Sequence, residues 1–216
     1  MANFSLIVIG RNSATHLQKL WSREIVFGEI ERIYVDSRSS DQSVEIAQQK
    51  GFHTVSLLPS EPLSAASGRH VGAKNAMGEW LLFCDSDMEL QLSIPLEKLI
   101  EELEEQGWSG CSGATIDLFS SGERIERRRR EKSGEVARYF GGLVLLHRQT
   151  LLNAGNYNPR LIANEEIELY ARIIRNKGKI CYRSELACLH HTEKSSKWEE
   201  LRQLYRPTGV RRERWG

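Results

Sequence analysis

The feature that most constrains this chain is the stretch 79–89, Glu-Trp-Leu-Leu-Phe-Cys-Asp-Ser-Asp-Met-Glu, where an apolar run stops at two aspartates one residue apart. The run Trp80 to Cys84 predicts a strand covered on both faces, as in a mainly parallel sheet. Ligands of open α/β sheets bind beyond the carboxyl ends of the strands, and Asp85 and Asp87 fall there. Two carboxylates so close, with no lysine beside them, repel each other unless a divalent cation lies between them. Asp and Ser are also ordinary turn residues, so the meaning of Asp85-Ser86-Asp87 depends on the rest of the chain.

A length of 216 residues suits one domain with a good core. The net charge of +1 gives no global signature for polyanion binding, although Arg127 to Arg130 and Arg206 to Arg214 concentrate positive charge. The arginine run at 127 to 130 has no interleaved aromatic residues, so it reads as a solvated face, with no nucleic-acid partner expected. The first apolar stretch, Phe4 to Ile9, is too short for a signal peptide or a span. No later stretch approaches the roughly 20 apolar residues that a membrane-spanning helix needs. A soluble, cytoplasmic protein is the expectation. Cys84, Cys111, Cys181 and Cys188 lack C-x-x-C spacing and read as small buried hydrophobes, without disulfides or zinc.

Strand and helix patterns alternate through the first half. Phe4 to Ile9 predicts a strand, followed by a polar turn at Gly10 to Ser13 and a helix from Ala14 to about Val26. Ile30 to Val35 repeats the strand and ends at Asp36, and the polar loop Ser37 to Asp41 leads to a helix over Gln42 to Lys50. His53 to Leu58 makes a third strand, and Leu63 to Met77, rich in Ala and Gly, a closely packed helix before the central strand. This alternation predicts right-handed βαβ units. After Pro95, Leu96, Leu99, Ile100 and Leu103 fall at helical spacing and read as core. Trp108 to Phe119 predicts a strand, Arg124 to Glu135 a solvated loop, Leu143 to His147 a strand and Arg148 to Ala154 a short helix. Asn164 opens a helix to about Lys177 with acids in its first turn, where the helix dipole favours them. Ile180 to Tyr182 and Ala187 to Leu189 predict two short strands before His190-His191. From Trp198 a basic amphipathic helix, fit either to pack on the domain or to lie on a membrane, breaks at Pro207.

Several separated pieces together resemble the family 2 glycosyltransferases, whose nucleotide-sugar-binding fold is called GT-A. Ile7 to Asn12 resembles the family's opening nucleotide-contacting strand. Val35-Asp36-Ser37-Arg38-Ser39-Ser40-Asp41-Gln42-Ser43 resembles its Val-Asp-Asp-Gly-Ser-Thr-Asp-Gly-Ser loop, with the second Asp and both glycines replaced. Arg38 and Gln42 tolerate fewer backbone conformations than Gly. Ser67 to Gly72 resembles the Ala-Arg-Asn-x-Gly segment, with His70 in place of Asn. Asp85-Ser86-Asp87 matches the metal motif. Gly141-Gly142 matches the acceptor-side glycines, and Asn164-Glu165-Glu166-Ile167-Glu168-Leu169 the Glu-Asp-x-Glu-Leu helix start. His190 or His191 matches the histidine that often completes the metal site. The resemblance covers about residues 4 to 191 in the right order and spacing.

It implies a single α/β domain over 1–197, with a nucleotide-binding half at about 1–90 and an acceptor-side half at about 91–197, and a tail at 198–216. The donor would be a nucleotide-diphosphate sugar, contacted by Ile9, Arg11, Asn12, Asp36, Arg69, Asp85, Ser86, Gly142 and Glu165, and the acceptor a hydroxyl. Asp87 and Asp85, with His190 or His191, would hold Mn²⁺ or Mg²⁺, an imidazole ligand favouring Mn²⁺. Glu166 takes the position of the catalytic base, one methylene longer than the family's usual Asp, and direct attack by the acceptor would invert the anomeric carbon. Two rivals stand beside this reading. A phosphohydrolase would use Asp85 as nucleophile and Asp87 as acid, but such a motif usually follows the first strand and not the fourth. A non-catalytic nucleotide-binding module would explain Glu at 166 and the altered loop at 37–42.

Overall fold

The computed structural model describes residues 3–21, 30–127 and 131–192. Among these residues one sheet runs in the order β3-β2-β1-β4-β8-β6-β9-β5, with β7 paired to β6. The first four strands are β1 (Phe4–Gly10), β2 (Glu31–Asp36), β3 (His53–Ser56) and β4 (Trp80–Asp85). β5 (Met88–Leu92), β6 (Gly110–Phe119), β7 (Arg124–Glu126), β8 (Val144–His147) and β9 (Ile180–Thr192) complete it. The helices are α1 (Ala14–Leu20), α2 (Ser43–Gln49), α3 (Ala65–Asn75), α4 (Leu96–Glu105), α5 (Arg148–Asn153) and α6 (Glu165–Arg175).

The expected βαβ order accounts for β1 to β4, which pair in parallel, as do β6 and β9. The sheet as a whole is mixed and not purely parallel, because β8 lies antiparallel between β4 and β6, and β5 and β7 also pair antiparallel. An antiparallel neighbour needs no helical crossover. Burial on both faces gives the same apolar run in either direction, so the sequence pattern could not separate the two arrangements. Successive residues of β1 and β4 alternate between two cores. Leu6, Val8, Leu82 and Cys84 pack on one face with Leu96, Leu99, Ile100 and Leu103, and Ile7, Ile9, Leu81 and Phe83 on the other with Tyr157 and Leu169. All four cysteines are buried and unpaired.

Helix α3 lies against the sheet at glycine distance. A Cβ on Gly72 would stand 2.4 Å from Ile7 Cγ2, which explains the small residues at 65–73. The Ser64 hydroxyl accepts from Ser67 N at 3.2 Å and caps this helix. Asp41 serves two helix starts, accepting from Ala14 N at 3.1 Å and from Ser43 N at 3.1 Å. Arg38 takes a left-handed φ of 59° where the resembling family has Gly, and its guanidinium donates to the carbonyls of Pro59 and Glu61. Such a backbone conformation costs a side-chain-bearing residue about 1–2 kcal/mol, which those two bonds help to offset.

Two local expectations change: the segment 124–126 is a strand hairpinned onto β6, and the two strands expected between 180 and 189 are one, β9, running through both histidines. The stretch after the aspartates, for which the sequence suggested no element, is strand β5. Residues 22–26 of the first expected helix, Arg128 to Arg130, and the tail from Trp198 with Arg206 to Arg214 lie outside the described residues. Among those described, no helix is long and apolar enough to cross a membrane.

Candidate active site

The two aspartates sit on a turn fastened from four directions. Ser86 N donates to Ile9 O at 2.9 Å and the Ser86 carbonyl accepts from Trp21 Nε1 at 3.0 Å. The hydroxyls of Ser86 and Ser13 are 2.7 Å apart, and the Asp87 carbonyl accepts from His191 N at 2.9 Å. This ties the end of β4 to β1, α1 and β9. Beside the turn opens a cleft of about 370 Å³ whose lining includes Ile9, Arg11, Asn12, Asp85, Ser86 and Asp87. Six of the residues expected to serve the donor or the metal thus face one space. Asp36 stands just behind it, 2% exposed, with Oδ2 accepting from Ser39 N at 2.9 Å and Oδ1 buried without a hydrogen-bond partner.

A second cluster adjoins the first through Asp85. Arg69, 1% exposed, extends from α3 into three carboxylates: Nη2 lies 2.8 Å from Asp85 Oδ1, and Nη1 lies 2.6 Å from Glu165 Oε1 and 3.1 Å from Glu166 Oε1. Its guanidinium also packs over the Tyr157 ring at 5.9 Å. Arg69 therefore reaches the cleft only by way of Asp85, and a phosphate would have to compete with three acids for it. Burial pushes the Glu166 carboxyl upward, Arg69 pulls it down, and Glu165 and Asp85 push it up again, so it stays raised above the ordinary value. Gly142 closes on the same cluster. A Cβ there would stand 2.8 Å from Asp85 Oδ2 and 3.0 Å from Arg69 Nη2.

His190 and His191 are neighbours on β9 and point to opposite faces. His190 Nε2 lies 3.4 Å from Asp87 Oδ2 and its Nδ1 lies 2.7 Å from Asp117 Oδ1, whereas His191 Nε2 lies 3.1 Å from Glu89 Oε2. Burial disfavours a charged His190, but the hydrogen bonds to Asp117 and Asp87 outweigh it and raise the ring to about 9. Asp117 goes the other way: burial raises it, and hydrogen bonds from His190 and Arg127 hold it at about 2. Asp87 is half-buried, which would raise it, yet hydrogen bonding to His190 lowers it. Its Oδ1 is buried with no hydrogen-bond partner among the described residues. Among the described residues no three His, Cys, Asp or Glu side chains are grouped to hold a metal. Asp87 and His190 face each other and could hold a metal only together with ligands from elsewhere.

Sequence reasoning missed Ser13, His16, Leu63 and Ser64, which also line the cleft. Ser13 and His16 are three residues apart at the start of α1, on one helix face, and that spacing was the available signal. It also missed Asp117, the one acid in the strand-like run 110–119. A lone carboxylate in such a run must find a partner, and this one has two.

Comparison with known proteins agrees with this geometry. A family profile described as "Glycosyl transferase family 2" matches residues 5–161. Sequence comparison with curated proteins gives no match. Among solved structures, S. aureus TarS residues 1–349 in complex with UDP superposes with a TM-score of 0.72 at 20% identity, covering 94% of this chain and 64% of that one. Longer S. aureus TarS gives 0.67 at 21% identity, covering 94% and 38%. GalNAc-T7 with UDP, GalNAc and Mn²⁺ gives 0.65 at 15% identity, covering 89% and 44%. The chain thus spans 38 to 64% of the length of these structures, and at such identities the likeness speaks for the fold.

Proposed function

The chain belongs to glycosyl transferase family 2, and from that premise we propose that it moves a sugar from a nucleoside-diphosphate donor to a hydroxyl acceptor with inversion at the anomeric carbon. The observation that carries the reading is the double place of Asp85, which lines the cleft and is joined through Arg69 to Glu166. The candidate donor site and the candidate base are thereby held by one guanidinium. In this account residues 1–90 supply the nucleotide half and 91–197 the acceptor half.

Ile9, Arg11 and Asn12 line the part of the cleft that would hold the nucleoside and its diphosphate. Asp36 offers a buried, unused acceptor oxygen for an N–H of the base. UDP is the first nucleotide to try, since it is the one in the TarS and GalNAc-T7 complexes. Asp87 Oδ1, with no hydrogen-bond partner among the described residues, and His190 Nε2, once a cation displaces the proton it shares with Asp87, fit the donor preferences of Mn²⁺ or Mg²⁺, which take one or two protein ligands and complete their shell with phosphate oxygens. When bound, such an ion neutralises the charge that develops on the departing diphosphate. His190, not His191, faces Asp87 and is assigned here.

In this reading Glu166 takes the proton of the acceptor hydroxyl. Its raised pKa brings it nearer the operating pH, where a general base works best. Arg69 limits the rise by balancing part of the negative charge around it, and Gly142 keeps backbone close to Asp85 without a side chain in between. Family membership leaves the phosphohydrolase reading without support. The test is release of free nucleoside diphosphate from a panel of nucleotide sugars, with Mn²⁺ and with a chelator. Release by the wild type that chelation abolishes supports the proposal; release that chelation leaves unchanged contradicts the metal dependence.

A further inference from the structure

The His190 ring is gripped from behind by a carboxylate that the reaction above does not use. Asp117 is the parallel partner of His190 across β6 and β9, and is 8% exposed. Two residues earlier on the same face Thr115 pairs with Cys188, so the register brings Asp117 and His190 side by side. Arg127, just past β7, closes a fork on the carboxylate, with Nε 2.8 Å from Oδ2 and Nη2 2.6 Å from Oδ1.

We propose that Asp117, braced by Arg127, is a positioning residue that fixes His190 with Nδ1–H toward Asp117 and Nε2 toward Asp87, and so completes a divalent-cation site with Asp87. The inference rests on the metal-dependent reading above. A metal-binding imidazole commonly gives its second ring N–H to a carboxylate, which sets the tautomer and aims the free lone pair. The distances select this assignment. Arg127 Nη2 also lies 3.0 Å from His190 Nδ1, but Asp117 is an ionised carboxylate that can only accept, so the close contact of its Oδ1 with Nδ1 requires the proton on that nitrogen. The Nδ1 proton then goes to Asp117, 2.7 Å away. His191 shows the contrast: its carboxylate partner, Glu89, meets Nε2, and the pair sits toward solvent at 30% and 39% side-chain exposure.

The test is a calorimetric titration of Mn²⁺ into protein with an excess of the nucleoside diphosphate it binds, UDP being tried first, for the wild type, Asp117→Asn, His190→Ala and the double variant, with thermal midpoints as a check of folding. Asp117→Asn should weaken Mn²⁺ about 10- to 100-fold, and should add nothing once His190 is Ala. Should Asp117→Asn fail to fold, Arg127→Met, at a side chain 49% exposed, replaces it, with a smaller weakening that also vanishes in the His190→Ala background. Wild-type Mn²⁺ affinity in Asp117→Asn, or equal weakening with and without His190, overturns the inference while leaving the metal-dependent reading intact. A wild type that takes up no Mn²⁺ in the presence of that nucleotide overturns both.

Discussion

Arg69 Nη2 sits 2.8 Å from Asp85 Oδ1, so the aspartate that ends β4 is tied to a guanidinium carried by α3. The same guanidinium holds Glu165 and Glu166 at the start of α6. One buried cation thus joins three elements and balances part of the charge of three acids.

Removing that cation leaves carboxylates uncompensated in a desolvated place. Arg69→Met should destabilise the fold by about 3–5 kcal/mol near neutral pH. The deficit should shrink at acid pH, as Glu166, whose carboxyl is already raised, becomes neutral. Urea unfolding at two pH values measures both; a loss below about 1 kcal/mol at neutral pH would show that the cluster is not held by charge.

Glu166→Gln should lower turnover by about 10²- to 10⁴-fold, the usual contribution of a positioned base, while nucleotide affinity stays within about twofold. Because burial and its acidic neighbours raise Glu166, turnover in the wild type should fall with decreasing pH at values above the ordinary glutamate range near 4.3. A pH–rate profile of kcat checks this. A profile flat down to pH 4 would place the base elsewhere.

Gly142→Ala puts a Cβ about where Asp85 Oδ2 and Arg69 Nη2 already lie, at 2.8 and 3.0 Å. We expect a loss of activity of at least about tenfold, the scale on which small misplacements act, and a smaller loss of stability. Gly141→Ala is the control, because a Cβ there meets nothing within 4 Å. Equal losses in the two variants would contradict the assignment.

Away from the site, Glu185 is held at about 2 against an ordinary 4.5: burial would raise it, and hydrogen bonds from Ser133 and Arg183 outweigh burial. A depressed carboxyl contributes stability that is complete above about pH 4.5 and is lost as the pH falls toward 2. Its side chain is 28% exposed, so solvent screening trims the contribution to about 1–2 kcal/mol. Glu185→Gln should cost that much at pH 7 and almost nothing near pH 2, by chemical denaturation. A cost independent of pH would mean lost packing and not lost charge.

The legible parts of the sequence were those in which local chemistry repeats a global requirement. The apolar runs of β1 and β4, the acids at 85 and 87 and the glycines of α3 could be read because each obeys burial, edge position or close approach on its own. Arg69 was legible as a candidate donor contact but not as a buried cation. Its three partners come from residues 85, 165 and 166, distant in the chain, and no spacing rule announces them. Asp117 was overlooked because a single acid does not disturb an apolar strand pattern. Its meaning comes from the register that places it opposite His190. Which of the two histidines faces Asp87 was likewise a matter of strand alternation, visible once β9 proved continuous through both.

The central claim is that the cleft at Asp85-Ser86-Asp87 binds a nucleoside diphosphate together with a divalent cation. The most direct measurement is calorimetric titration of UDP and other nucleoside diphosphates, with and without Mn²⁺, into the wild type and Asp87→Ala. The account predicts that one nucleotide binds the wild type in a Mn²⁺-dependent manner and that Asp87→Ala loses the Mn²⁺ dependence. Binding by no nucleotide, or binding that is the same in both proteins with and without Mn²⁺, would contradict it.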